Sequence, residues 1–168
     1  MATHRIPILG WPTNPDTSGD MFFEPFDVKA SNDVWDRHVA VFNDTATRIG
    51  VHGGFTVPKN YIGSAKLVVV WTTSATSGDV EWDFDYRAVG GDDAESLDQA
   101  GTQESVNLND TAPGAAFRRM ETLITLTAGN FAIDDEVTFT FFRDGTDAGD
   151  TMAAAALVFQ LLWEYSDA

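Results

Sequence analysis

In residues 79–89 the apolar side chains Val80, Trp82, Phe84, Tyr86 and Ala88 fall on every second position, and Glu81, Asp83, Asp85 and Arg87 fill the gaps. A period of two sends successive side chains to opposite faces, so this segment predicts a β-strand with one buried face. Upstream, residues 67–71 form a continuous apolar run rich in valine, the composition of a strand covered on both sides. The polar stretch 72–78 between them ends in a glycine and predicts a turn. Residues 66–89 together are therefore expected to form a hairpin near the middle of the core.

Similar patterns recur along the chain. Residues 20–28 read as a strand whose Pro25 suits an edge or a bulge, and residues 35–42 as another. Residues 48–57 place Ile49, Val51, Gly53, Phe55 and Val57 on one face, with adjacent glycines that mark a bulge or a close backbone approach. Shorter strands are predicted at 104–108 and 117–126, and a further one at 137–143, where Val137, Phe139 and Phe141 alternate with threonines. Residues 152–165 pull two ways. Their alanines favour a helix, whereas Phe159, Leu161, Trp163 and Tyr165 alternate against Gln160 and Glu164 and favour a strand, which is the reading adopted for 157–165. The longest polar stretch, 90–102, predicts a surface loop.

Eight or nine short strands without interleaved helices predict an all-β fold: an antiparallel β-sandwich of jelly-roll type, residues 20–168, preceded by an extended N-terminal arm, residues 1–19. An immunoglobulin-like sandwich would bring a Cys, Trp, Cys framework that the chain lacks. In the arm, Pro7, Pro12 and Pro15 favour extended backbone. Its apolar residues Ile6, Ile8, Leu9 and Trp11 are expected either to wrap their own domain or to lie across a neighbouring subunit.

Composition narrows the function. The chain has 168 residues, enough for one domain with a substantial core. It has no cysteine, which excludes thiol catalysis, iron–sulfur clusters and thiolate zinc sites. Neither a secretory signal nor a membrane span is expected, because the apolar stretches are too short. The net charge of −16, from 26 acidic and 10 basic residues, repels nucleic acid and anionic membranes.

Few residues suggest chemistry. Glu81, Asp83 and Asp85 share one strand face at about 6.6 Å per step, within the carboxylate spacing of an inverting glycosidase. A solvated strand face with Arg87 offsetting some charge is the preferred account. Asp144, Asp147 and Asp150 in one loop, and Asp92, Asp93, Glu95 and Asp98 in another, offer hard oxygen ligands that calcium accepts. Turn chemistry accounts for both loops, and Arg143 pairing with Asp150 across the loop mouth is the structural alternative. His4, His38 and His52 are scattered, so no zinc site is expected. Trp82 and Trp163 sit on apolar faces and are assigned to the core rather than to sugar stacking. No catalytic residue, metal or cofactor is predicted.

The segment WTTSATSGDVEWDFDYRAVGGDDAESLDQ, with FTFFRDGTDAGDTMAAAALVFQLLWEY at the end, resembles small jelly-roll proteins of tailed-bacteriophage virions and the jelly-roll heads of phage fibres. That resemblance implies a virion structural protein, homotrimeric, made in the host cytoplasm and exposed on the particle. The short arm and missing shaft are similar to capsid decoration or cement proteins, with Ile6, Ile8, Leu9 and Trp11 contacting a neighbouring subunit or the major capsid protein. The alternative is a receptor-binding fibre or tail tip module that recognises host surface glycans. A polysaccharide-degrading jelly-roll enzyme comes third.

Overall fold

The computed structural model describes residues 2–9, 14–15, 22–27, 36–90, 95–98 and 101–167. Eleven strands run through them: β1 (Thr3–Pro7), β2 (Asn14–Pro15), β3 (Phe22–Asp27), β4 (Asp36–Phe42), β5 (Arg48–Thr56), β6 (Gly63–Thr73), β7 (Asp79–Val89), β8 (Glu104–Thr111), β9 (Met120–Thr125), β10 (Glu136–Asp144) and β11 (Ala156–Ser166). They pair into two sheets, here called A and B. Sheet A has the order β3-β4-β11-β6-β9 with β1 added alongside β11, and sheet B the order β2-β5-β10-β7-β8. Every pairing is antiparallel. The expected jelly-roll-type β-sandwich is the fold, and Pro25 lies in β3 at the edge of sheet A, where a missing ladder donor costs least.

The expected central hairpin is not formed. β6 pairs with β11 and β9, β7 pairs with β10 and β8, and the two strands lie in opposite sheets. Residues 74–78 arch across the sandwich edge instead of closing a ladder. Gly78, at φ +92°, takes a backbone conformation that a side chain disfavours, and a Cβ there would press on the Met152 backbone. What joins β6 to β7 is side-chain packing: Trp71 meets Trp82 edge-on at 5.8 Å between ring centres.

The core fills the space between the sheets. Trp71, Trp82 and Trp163 are fully buried within it, together with Phe42, Phe84, Phe139 and Phe141. Trp82 stacks on Phe141 at 5.0 Å, and Trp163 stacks on Tyr165 at 5.0 Å. Truncating any of these tryptophans to alanine is expected to cost about 3–5 kcal/mol. The close backbone approach signalled by the glycines of β5 is present: a Cβ at Gly53 would overlap the Phe139 ring.

β11 is a strand throughout, because pairing along both edges outweighs the helical preference of its leading alanines. Its face assignment differs from simple alternation. The register shifts between Val158 and Gln160, a bulge that reverses the parity of the strand. Val158, Leu161, Trp163 and Tyr165 consequently face the core, while Phe159 packs on the outside of sheet A near Val39, Val41 and Leu157. The strand expected at 117–126 is shorter, since Phe117 sits at φ +60° in the loop before β9.

Of the expected arm, residues 3–7 are built into sheet A as β1, with Thr3 opposite Ser166 and Pro7 opposite Leu162. Ile8 is buried in the core, and Ile6 and Leu9 pack against it from the rim. Trp11, the fourth residue assigned to an intersubunit contact, lies outside the described residues. Near the start of the arm, the Ala2 amide donates to Asp167 Oδ1 at 2.8 Å and His4 Nε2 lies 2.7 Å from Asp167 Oδ2.

Candidate functional site

The outer face of sheet B carries most of the side chains that the sequence marks as polar chemistry. Alternation on β7 turns Glu81, Asp83, Asp85 and Arg87 outward, and the antiparallel register sets Asp83 beside Phe142 and Asn107, Asp85 beside Thr140 and Ser105, and Arg87 beside Thr138. Across β10, Thr140 faces His52 of β5 and Phe142 faces Gly50. Each row of the face is thus assembled from strands far apart in sequence.

A groove of about 370 Å³ opens on this face where Leu97, Gly101 and Thr102 lie beside β7 and β10. Asp85, Arg87, Thr138 and Thr140 line its floor, and Leu97, 74% exposed, stands at its wall. Arg87 reaches the loop through Nη1 to the Gly101 carbonyl at 3.3 Å, and its Nη2 is 4.0 Å from Glu95. Its Nε–H is buried and makes no hydrogen bond among the described residues. Leaving a buried donor unpaired costs about 1–3 kcal/mol, so such a group in a residue lining a groove calls for a functional reason. Thr140 shares its hydroxyl with His52 Nδ1 at 2.9 Å, and Ser105 donates its hydroxyl to Asp85.

One row away, Arg48 gathers the carboxylates. Its Nη2 lies 2.7 Å from Asp83 and 3.5 Å from Asp85, and its Nε is 3.5 Å from Asp144. Burial pushes Asp83 up to about 6 despite Arg48, with Asp144 and Asp85 adding to the rise. Burial also raises Glu81, opposed by a hydrogen bond from Asn109 and aided by Asp147, Asp150 and Asp144. A glycosidase acid needs a raised pKa inside the substrate cleft. Here the two raised groups, Glu81 and Asp83, lie outside the groove, and Asp83 is held by Arg48. Of the three carboxylates singled out from sequence, Asp85 alone lines it.

The acidic loops have other uses for their oxygens. Asp144 Oδ1 accepts from the Thr146 amide at 2.9 Å, and Asp147 Oδ1 from the Gly149 amide at 2.7 Å, both turn-stabilising contacts. Asp150 accepts two parallel bonds from Arg143, at 2.8 Å from Nε and 2.7 Å from Nη2, so the pairing proposed from sequence is present. Arg143 is completely buried and also donates to the carbonyls of Met152 at 2.6 Å and Ala154 at 2.7 Å. Among the described residues no group of three or more His, Asp or Glu side chains is arranged to hold a metal ion. In the other loop Asp92 and Asp93 lie outside the described residues. His4, His38 and His52 stand apart, on β1, β4 and β5.

Sequence reading passed over Arg48 and gave Arg87 only a charge-balancing role. The signal available for Arg87 was its place as the one cation at the end of an acidic strand face, immediately before the longest polar loop.

No family model matches the chain, and no curated protein matches it. Its structure is similar to that of a family 35 carbohydrate-binding module from Clostridium thermocellum, with a TM-score of 0.55 and 12% identity over 97% of this chain and 98% of that one. It is also similar to part of an exo-β-1,3-galactanase from Phanerochaete chrysosporium solved with galactose, with a TM-score of 0.51 and 10% identity over 97% of this chain. In that second case the chain spans 29% of the larger protein. At these identities the likeness speaks for the fold: the chain has the jelly-roll-type sandwich of carbohydrate-binding modules, and neither likeness is to a phage virion protein.

Proposed function

We propose that this domain is a non-catalytic glycan-binding module and that the groove on sheet B, walled by Leu97, Gly101 and Thr102, receives the sugar. The observation that carries this reading is the buried Nε–H of Arg87, which makes no hydrogen bond among the described residues, in a groove shared with the carboxylate of Asp85 and the hydroxyls of Thr138 and Thr140. Planar donors and acceptors fixed on adjacent strand positions suit neighbouring sugar hydroxyls, which both donate and accept. The surrounding acidic charge favours a neutral glycan over a uronate-rich one. The sandwich shared with a carbohydrate-binding module supports the same reading.

The resemblance of the strand patterns to phage jelly-roll heads favours a place on a virion surface, as a receptor-binding module that meets host surface glycans. A capsid-cement role drew on apolar arm residues available to a neighbour; Ile8 is instead buried in this domain and Ile6 and Leu9 pack on its core, which removes much of that support.

Isothermal titration against neutral polysaccharides and purified host-surface polysaccharide tests the proposal. Arg87→Ala and Thr140→Val are expected to weaken binding at least tenfold, about 1.4 kcal/mol, while His38→Ala on the opposite sheet leaves it unchanged. Binding that ignores both groove variants would overturn the site assignment, and no binding to any glycan would overturn the function.

A further inference from the structure

One row of residues crosses sheet B from edge to edge. Asn14 of β2, His52 of β5, Thr140 of β10, Asp85 of β7 and Ser105 of β8 lie opposite one another in successive ladders. Thr140 and Asp85 line the groove, whereas His52 stands outside its lining and reaches it through Nδ1, 2.9 Å from the Thr140 hydroxyl. A hydroxyl carries one proton, and the atom that proton serves decides what Thr140 offers a ligand. Among the described residues the Thr140 hydroxyl bonds His52 and not Asp85, its neighbour on the other side. Asp85 has one oxygen taken by the Ser105 hydroxyl and the other 3.5 Å from Arg48 Nη2.

We propose that His52 is a positioning residue for the glycan site: its bare Nδ1 holds the Thr140 proton, so that Thr140 and Asp85 both face the sugar as acceptors, and protonation of the ring reverses this. The proposal rests on the glycan reading of the groove. With Nδ1 accepting, the groove sets donors on Arg87 against acceptors on Thr140 and Asp85, an arrangement that serves adjacent sugar hydroxyls in both their roles. An imidazolium donates from both nitrogens. Its Nδ1–H then points at Thr140, the hydroxyl proton turns to the Asp85 carboxylate, and two acceptors are withdrawn from the sugar together. Imidazoles exchange this proton between pH 5 and 8, so binding weakens as the pH falls even though a neutral glycan does not titrate. The charged groups that flank the row on β5, β7 and β10 are Arg48, Glu81, Asp83, Arg87, Glu136 and Asp144. Of these, burial raises Glu81 and pushes Asp83 up to about 6, so both need controls.

Two measurements on the full chain test the assignment. Nitrogen chemical shifts of the His52 ring, identified by their loss in His52→Asn, are expected to show a bare Nδ1 at pH 7.5; a proton on Nδ1 at that pH overturns the proposal whatever the groove binds. Titration calorimetry with galactan, mannan, xylan and mixed-linkage β-glucan is run at pH 7.5 and pH 5.0, with circular dichroism confirming the fold at both. Wild-type affinity is expected to fall about fivefold at the lower pH, the worth of one neutral hydrogen bond. Thr140→Val, and His52→Asn, which keeps hydrogen-bonding atoms without titrating, are expected to bind equally at the two pH values, while Asp83→Asn and Glu81→Gln keep the fall. A wild-type affinity that ignores pH, a fall that survives His52→Asn, or a fall lost in Asp83→Asn or Glu81→Gln overturns the proposal. Absence of binding to all four glycans overturns it together with the groove reading, which Arg87→Ala scores separately at pH 7.5.

Discussion

Asp83→Asn is expected to stabilise the protein at pH 8 and to do so much less at pH 4.5. Asp83 is held up at about 6, against an ordinary value of 3.8, because burial penalises its charge more than Arg48, at 2.7 Å, rewards it. The folded state therefore binds the proton more tightly than the unfolded chain does. Stability from that proton is complete below about pH 4 and is lost as pH rises through about 6. A rise of this size corresponds to about 3 kcal/mol at full strength. Asp83 keeps 14% of its side-chain surface open, and solvent screening there leaves about 1–2 kcal/mol. Asparagine preserves the shape and removes the charge, and Arg48 retains Asp85 and Asp144. Urea unfolding at the two pH values reads the difference directly, and at pH 8 the melting temperature should rise by roughly 2–8 °C for a domain of this size. Should Asp83→Asn be less stable at pH 8, or shift stability equally at both pH values, the ion pair with Arg48 outweighs burial and the reasoning fails.

Three other expectations address different parts of the molecule. Arg143→Met strands the buried Asp150 carboxylate and the carbonyls of Met152 and Ala154, at a cost of about 3–5 kcal/mol in equilibrium unfolding; Arg143→Lys, which has no planar fork, should recover less than half of it. Calcium and chelator should leave the melting temperature within 1 °C of its value in plain buffer, roughly the scatter of the assay and far less than the several degrees a site holding its ion well above its dissociation constant would add, because Asp150 is committed to Arg143 and Asp144 and Asp147 to their own turns. Light-scattering mass tests the virion setting: a trimer supports it, and a monomer at every concentration argues for a module that acts alone.

Local patterns were legible where local physics decides. β7 and β10 each write one buried face in alternating residues, and both strands appear within a residue or two of their expected bounds. What pairs with what was not legible at β6 and β7, since an arch between two sheets and a hairpin within one share the same signature of strand, polar turn and strand. The distinction lies in the partners, β11 and β9 against β10 and β8, which are remote in the chain. Phe159 was misplaced for a related reason, because a bulge changes the parity of a strand without leaving a mark on its composition. β1 was passed over because five residues ending in proline carry little periodicity; its strand character comes from β11 alongside it. The groove needed the register of β7 against β10 before Arg87, Asp85 and Thr140 became neighbours.

The place of β11 in sheet A has a kinetic consequence. β1, β4 and β6 all take hydrogen bonds from β11, so none of these ladders exists until residues 156–166 arrive. The loop closed by Thr3 and Ser166 embraces nearly every other element. Loop-closure entropy must be met before the contacts that reward it, a condition that slows folding and makes it cooperative. Until then β6 exposes the run Leu67, Val68, Val69, Val70 and Trp71 as an unpaired apolar edge, which makes the unfinished sheet the stage most open to aggregation.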